Sequence, residues 1–282
     1  MLLMSINNKS GLLFVYFIIN VIIFSKNGIM ALVIGDDNSG RLRTPLVNYF
    51  LIILNILVFI FWQRWGTDVH TTYSLAAVPG EILTGKDLVT PDEAIADPVT
   101  GEMLRLPGLP VTPVPVLLTL ITSQFLHGGI AHLFGNMLFL WVFGDNIEDA
   151  LGHGKYLLFY LLCGVLAGLS HVATTALLGQ NLLIPSIGAS GAISGVLGAY
   201  IWLYPRRGVH VWLFFLFVIT VPAFVAVGLW FAFQLLNGLG TLGGQEGDGI
   251  AYAAHIGGFI AGLVLINFLK PVKRKRSSSG YR

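Results

Sequence analysis

Two short runs of this sequence carry residues suited to acyl transfer. Ser190 lies in Gly188-Ala189-Ser190-Gly191 at the opening of one apolar stretch, and His255 lies in Ala254-His255-Ile256-Gly257-Gly258 near the opening of another. A hydroxyl becomes an effective nucleophile when an imidazole within hydrogen-bond reach takes its proton. Glycines near the serine allow close backbone approach. Amides in the first turn of a helix are unpaired and partially positive, which suits an oxyanion. By itself the Gly-x-Ser-Gly run reads equally well as small-residue packing. An ionisable side chain in an apolar helix is harder to explain by packing, and His255 is therefore a functional candidate. Gly258-x-x-x-Gly262, one turn further on, would seat its helix against another small-residue helix, such as the one bearing Gly191-x-x-x-Gly195.

A third run, His127-Gly-Gly-Ile-Ala-His132-Leu-Phe-Gly-Asn136, places His132 and Asn136 four apart and so on one helix face. An imidazole and an amide aimed at one point are the donors a tetrahedral oxyanion requires; the competing reading of Asn136 is a helix–helix hydrogen bond. His127 is read as organising the loop before the helix. No carboxylate or cysteine completes a metal set with these histidines, so no metal site is expected. No acidic residue is placed to orient His255, because Asp248 lies in a loop and Asp145 and Glu148 fall at the far end of the His132 helix. The expectation is a Ser–His dyad whose imidazole is held by packing.

These residues need elements to carry them, and composition says where the elements sit. Of 282 residues, 55% are hydrophobic and 11% charged, against about 25% charged in soluble domains. Such a chain cannot cover a soluble surface, and lipid must solvate much of it. Its net charge of +2 is too small to imply a nucleic-acid partner. The single cysteine, Cys163, allows no internal disulfide. Apolar stretches occur at 46–63, 131–147, 156–178, 187–204, 222–236 and 251–269, near the roughly 20 residues needed to cross a bilayer. Residues 209–221 are read as a membrane-associated approach to the fifth stretch, with Pro222 in the first turn of its helix. The expected fold is all-α and polytopic, with a six-helix core.

Orientation follows from basic residues. With the N-terminal side of the core inside, Arg41, Arg43, Lys155, Arg206, Arg207 and the cluster Lys270, Lys273, Arg274, Lys275 and Arg276 are cytoplasmic, leaving Arg64, Lys86 and Arg105 outside. The second, fourth and sixth stretches then all run from outside to inside. Ser190, His255, His132 and Asn136 accordingly share one depth, just below the outer surface. Residues 114–126 read as an interfacial or re-entrant helix, and Pro91 to Pro110 as turns or a small hairpin. The apolar segment within 1–29 is an extra helix, a signal-like segment or an over-extended start with Met30 as the true beginning. The last is favoured, because 31–44 reads as a polar, basic leader.

The three runs, in this order and on the second, fourth and sixth helices, resemble the signatures of rhomboid intramembrane serine proteases. The resemblance covers about residues 41–270, with 1–40 as leader and 271–282 as basic tail. It implies cleavage of transmembrane protein substrates near the outer face of the bilayer, with Ser190 as nucleophile and His255 as base. The oxyanion hole would be His132, Asn136 and the Ser190 amide, supported by His127, Gly188, Gly191 and Gly258, with Glu148 structural and no cofactor. Two departures stand out. Leu118-Thr119 occupies the place of a Trp-Arg pair, so the first external loop must be anchored differently. Ser194 stands where some members stack an aromatic residue on the histidine. A multi-pass protein of a prokaryotic plasma membrane is expected, with both core termini cytoplasmic.

Overall fold

The computed structural model describes residues 31–96, 103–213, 216–242 and 252–269. The apolar segment 1–29, the loop residue Asp248 and the basic tail lie outside them. In chain order the elements are β1 (Ala31–Asp36), α1 (Leu46–Trp62), α2 (Val69–Ser74), α3 (Pro79–Thr84), β2 (Glu93–Ala96) and β3 (Met103–Leu106). There follow α4 (Val116–Phe125), α5 (Ile130–Leu151), α6 (His153–Leu177), α7 (Ser190–Leu203), β4 (Gly208–Leu213), β5 (Phe217–Pro222), α8 (Ala223–Leu242) and α9 (Tyr252–Leu269). The fold is mostly helical, and each apolar stretch read from the sequence becomes a helix.

By length and composition, α6 and α9 are long and apolar enough to cross a membrane. The pair α4 and α5 passes the same test together but is bent by 83°, the geometry expected of a re-entrant segment leading into a helix. Helices α1 and α7 and the apolar part of α8 (Ala223–Gly238) are shorter. Among the described residues the expected six spans are therefore not all of full length: α7 has 14 residues, roughly 21 Å at 1.5 Å each, against about 30 Å of hydrocarbon.

Two sheets correct the all-α expectation. Strands β1, β4 and β5 form an antiparallel sheet in that order, and β2 pairs with β3 as the small hairpin expected between Pro91 and Pro110. Residues 209–213 and 217–221, in the stretch read as a membrane-associated approach, are thus strands. Val209, Val211, Val218, Ile219 and Val221 are β-branched, a composition that favours strands over helix ends, and His210 faces Thr220 across the pair with Nδ1 and Oγ1 2.9 Å apart. Pro222 ends β5 and the helix begins after it. Residues 31–36, read as polar leader, form β1 and pair with β4.

Helices α6, α7 and α9 pack on one another through small residues, within a core that also takes side chains from α1, α5, α8, β1 and β4. A Cβ on Gly258 would lie 2.1 Å from the Gly191 carbonyl oxygen, one on Gly262 2.0 Å from that of Gly195, and one on Gly198 2.3 Å from that of Phe259. Backbone meets backbone there, as small-xxx-small spacing permits. Each glycine costs about 1 kcal/mol of helix propensity, and the close contact of two helices offsets it.

Glu148 of α5 carries out the structural role expected of it. Its carboxylate accepts from the amides of Val47 and Asn48 at 2.9 and 2.7 Å, so it satisfies orphan donors at the start of α1. Near it, at the end where α7 finishes, Arg41 pairs with Asp145, Arg207 with Asn146, and Tyr200 with Asp36. Lys155 donates to the last-turn carbonyl of Leu269 at 2.9 Å, as a cation at a helix C-terminus should. Arg41, Lys155 and Arg207, assigned to one side from charge alone, share one end of the molecule. Burial pushes the Asp36 carboxyl up to about 6, offset in part by the Tyr200 hydrogen bond.

Candidate active site

The site forms at the opposite end, where α5, α7 and α9 begin. Gly188 sets it up: its φ of +126° is left-handed backbone that glycine alone adopts without strain. Its amide donates to the Ser123 carbonyl at 2.9 Å. A Cβ there would stand 2.9 Å from the His132 ring and 3.6 Å from Ser190 Oγ, so a side chain would fill the space in which serine and histidine face each other. Ser190 then opens α7, and its amide has no preceding helical carbonyl to bond.

Ser190 Oγ lies 2.8 Å from His255 Nε2. That is hydrogen-bond distance for a nucleophile and its base, reached between helices 65 residues apart in sequence. Both residues are half-buried. Gly191 and Gly258 make the approach possible, since α7 and α9 touch at those two backbones.

His132 of α5 reaches the same place, and Asn136 lies one turn further along that helix. The Gly128 amide donates to His132 Nδ1 at 3.3 Å, which leaves the proton of a neutral ring on Nε2, the nitrogen that faces Gly188. Asn136 is 6% exposed and its Nδ2 has no hydrogen-bond partner among the described residues. A buried, unspent amide donor costs about 1–3 kcal/mol and is chemically able to bond an incoming oxygen. His127 is fully buried, its ring edge-on to His132 with centroids 5.1 Å apart.

Several contributors were not legible in advance. Gln63, at the turn after α1, grips the loop at His127 from both sides: its Oε1 accepts from the His127 amide and its Nε2 donates to the His127 carbonyl, each at 2.9 Å. The loop lacking a Trp-Arg pair is anchored by such bonds. Thr122 Oγ1 donates to the Leu75 carbonyl at 2.7 Å, and Ala77 and Ser186 form an isolated antiparallel bridge. Ser194 Oγ donates to the Ser190 carbonyl at 2.6 Å and takes no part in holding the histidine. The expectation was packing rather than a carboxylate to hold His255, and α8 adds a neutral amide. Gln234 Oε1 accepts from His255 Nδ1 at 2.8 Å, and Trp230, one turn earlier, lies beside the ring with centroids 6.1 Å apart. The signal was present as a buried amide four residues from an aromatic, but nothing local aims it at residue 255. No group of three or more His, Cys, Asp or Glu suited to a metal occurs among the described residues.

Comparison with known proteins gives the family. The Rhomboid domain family matches residues 115–271, more than half of the chain. This chain belongs to the rhomboid family, and family and apolar helices together make it an integral membrane protein. Rhomboid protein 1, mitochondrial, of Saccharomyces cerevisiae is 32% identical over 161 residues, covering 56% of this chain and 44% of that one. Rhomboid protease GluP of Bacillus subtilis is 36% identical over 220 residues, covering 74% and 35%. RHOMBOID-like protein 12, mitochondrial, of Arabidopsis thaliana is 35% identical over 154 residues, covering 50% and 43%. The chain spans between 35% and 44% of the length of these relatives.

Proposed function

We propose that this chain is an intramembrane serine endopeptidase that cleaves transmembrane protein substrates near the outer face of the bilayer with a Ser–His dyad. The observation that carries the reading is the 2.8 Å contact between Ser190 Oγ and His255 Nε2. Family membership, with a relative named a rhomboid protease, supports it.

In this reading a substrate helix unwinds near its outer end, where small or helix-breaking residues make unwinding inexpensive. The freed strand enters beside Ser190 past α8. Ser190 Oγ attacks the scissile carbonyl carbon while its proton passes to His255 Nε2. The oxyanion that forms takes hydrogen bonds from Asn136 Nδ2, His132 Nε2 and the Ser190 amide. His255 then gives the proton to the departing amine, the C–N bond breaks, and water hydrolyses the acyl-enzyme by the same route in reverse. No step calls for a metal or cofactor. The six-helix membrane core of 41–270, extended by β1, stands as part of this proposal, with both core termini cytoplasmic from the charge bias. So does the prokaryotic plasma membrane, although relatives named mitochondrial show that the family also serves other membranes.

The test is a serine-reactive fluorophosphonate together with cleavage of a model transmembrane substrate in liposomes. The wild-type chain should be labelled and should cleave; Ser190→Ala should lose both, and His255→Ala should lose at least about 10³-fold in rate. Cleavage that survives Ser190→Ala at the wild-type rate overturns the assignment.

A further inference from the structure

We propose that Gln234 is a positioning residue for the dyad: its side-chain carbonyl fixes the tautomer and orientation of His255 and so ties the base to the seating of α8. The inference rests on the proteolytic reading above and adds to it a third polar member.

A neutral imidazole has one N–H and one acceptor nitrogen. To take the serine proton, Nε2 must be the acceptor, and the ring proton must then sit on Nδ1. Gln234 Oε1 is 2.8 Å from Nδ1, an acceptor placed where that tautomer has its donor. The opposite tautomer would lose this bond and would point an N–H at Ser190 Oγ, leaving the hydroxyl with no base. The same oxygen keeps its bond when the ring becomes an imidazolium in the transition state, because Nδ1–H is present in both forms. Gln234 is 2% exposed, so water does not compete for that acceptor, and a bond shielded from water holds a ring more firmly than an exposed one.

The other neighbours of His255 do not offer the same service. The titratable groups facing it are His132 of α5 and His171 of α6, Ser190 lies on the opposite nitrogen, and Trp230 supplies a ring face without an acceptor. Among the described residues no carboxylate approaches Nδ1. The position that an acid occupies in a Ser–His–Asp triad is filled by a neutral amide. An amide fixes geometry without placing a second full charge in an apolar bundle.

The test uses the full chain in liposomes, with Gln234→Met to keep the length and remove the oxygen, and Gln234→Glu to restore an acceptor. Cleavage and fluorophosphonate labelling are followed from pH 5 to 9, with thermal unfolding as a fold check, and with Ser190→Ala alongside. Gln234→Met should lower kcat at least tenfold with KM within twofold of wild type. Gln234→Glu should recover most of that loss and move the acid limb of the pH profile upward, because a carboxylate beside Nδ1 favours the imidazolium. The proposal is overturned if Gln234→Met keeps wild-type kcat and pH profile. It is equally overturned if Gln234→Glu is no better than Gln234→Met and leaves the acid limb where Gln234→Met has it. Should Ser190→Ala itself cleave, the proteolytic reading falls instead, which separates the two failures.

Discussion

Helix α9 presents two unlike faces, and the difference between them divides the labour of the site. Towards α7 and α6 it shows Gly257, Gly258 and Gly262, whose α-carbons sit against the Ser170 side chain and the Gly191 and Gly195 carbonyl oxygens with no room for a methyl group. Towards α8 it shows Phe259 stacked on Phe231 at 4.1 Å and His255 bonded to Gln234. Backbone packed on backbone has no soft degree of freedom, so the first face holds Ser190 and His255 at a fixed separation. Side chain packed on side chain can change rotamer and repack, and at Gly228 α8 is lightly filled. Gly228 has nothing within 4 Å of where its Cβ would be. In the proposed reading the rigid face sets the distance between Ser190 and His255, and the deformable face sets the orientation of the histidine and leaves a route for substrate.

The comparison is broken most severely at Gly258. Gly258→Ala places a methyl 2.1 Å from the Gly191 carbonyl oxygen, and backbone on both sides cannot yield cheaply. Loss of roughly 3 kcal/mol of stability is expected, with loss of cleavage, measured by thermal unfolding in detergent and by the liposome assay. Near-wild-type behaviour there would show that the clasp is not rigid.

Asn136 tests whether the fixed dyad needs its third side. Asn136→Ala removes a buried donor that the resting protein leaves unspent, so stability should hold or rise slightly while kcat falls about 10²–10³-fold. A drop in stability without a drop in kcat would make Asn136 a packing residue.

The end remote from the site should respond to pH separately from the dyad. Asp36 has its carboxyl raised from 3.8 to about 6 by burial. A raised acid stabilises the fold fully below its unfolded value, and that contribution is lost as pH rises through about 6. At most roughly 3 kcal/mol is at stake. Asp36→Asn, neutral at every pH, should therefore unfold at a higher temperature than wild type at about pH 7.5 and show a flatter stability profile between about pH 4 and 7. An unchanged profile would place the acid sensitivity elsewhere. Cleavage by this variant should keep the wild-type pH dependence, since β1 lies at the other end of the helices.

The mildest change is expected on the deformable face. Phe231→Leu removes the stack on Phe259 while keeping most of the apolar volume, and should cost about 1 kcal/mol. Amide hydrogen exchange should rise in α8 and stay unchanged in α7. Equal loosening of both helices would abolish the distinction between the faces.

Much of this was legible from spacing. Ser190, His255, His132 and Asn136 were readable because an apolar helix makes every polar side chain conspicuous and because helical periodicity states which residues share a face. The glycine clasp was readable because x-x-x spacing returns small residues to one stripe. Gln234 was not, since an amide near the middle of a helix names no partner until the neighbouring helix is placed. The strand at 31–36 was missed for a related reason: its hydrogen bonds go to residues more than 170 positions later, and a ladder of that range leaves no mark in local composition.

The sequence by itself determined the environment, the helical segments and the chemical types that meet, because hydrophobicity and periodicity are local quantities carried by each stretch of chain. Only the tertiary structure decided which nitrogen of His255 faces the serine and which faces Gln234. It alone decided that a sheet closes the far end, and that one side of α9 is locked while the other is free to repack. Those are relations between surfaces far apart in the chain, and they exist only once the helices have been brought together.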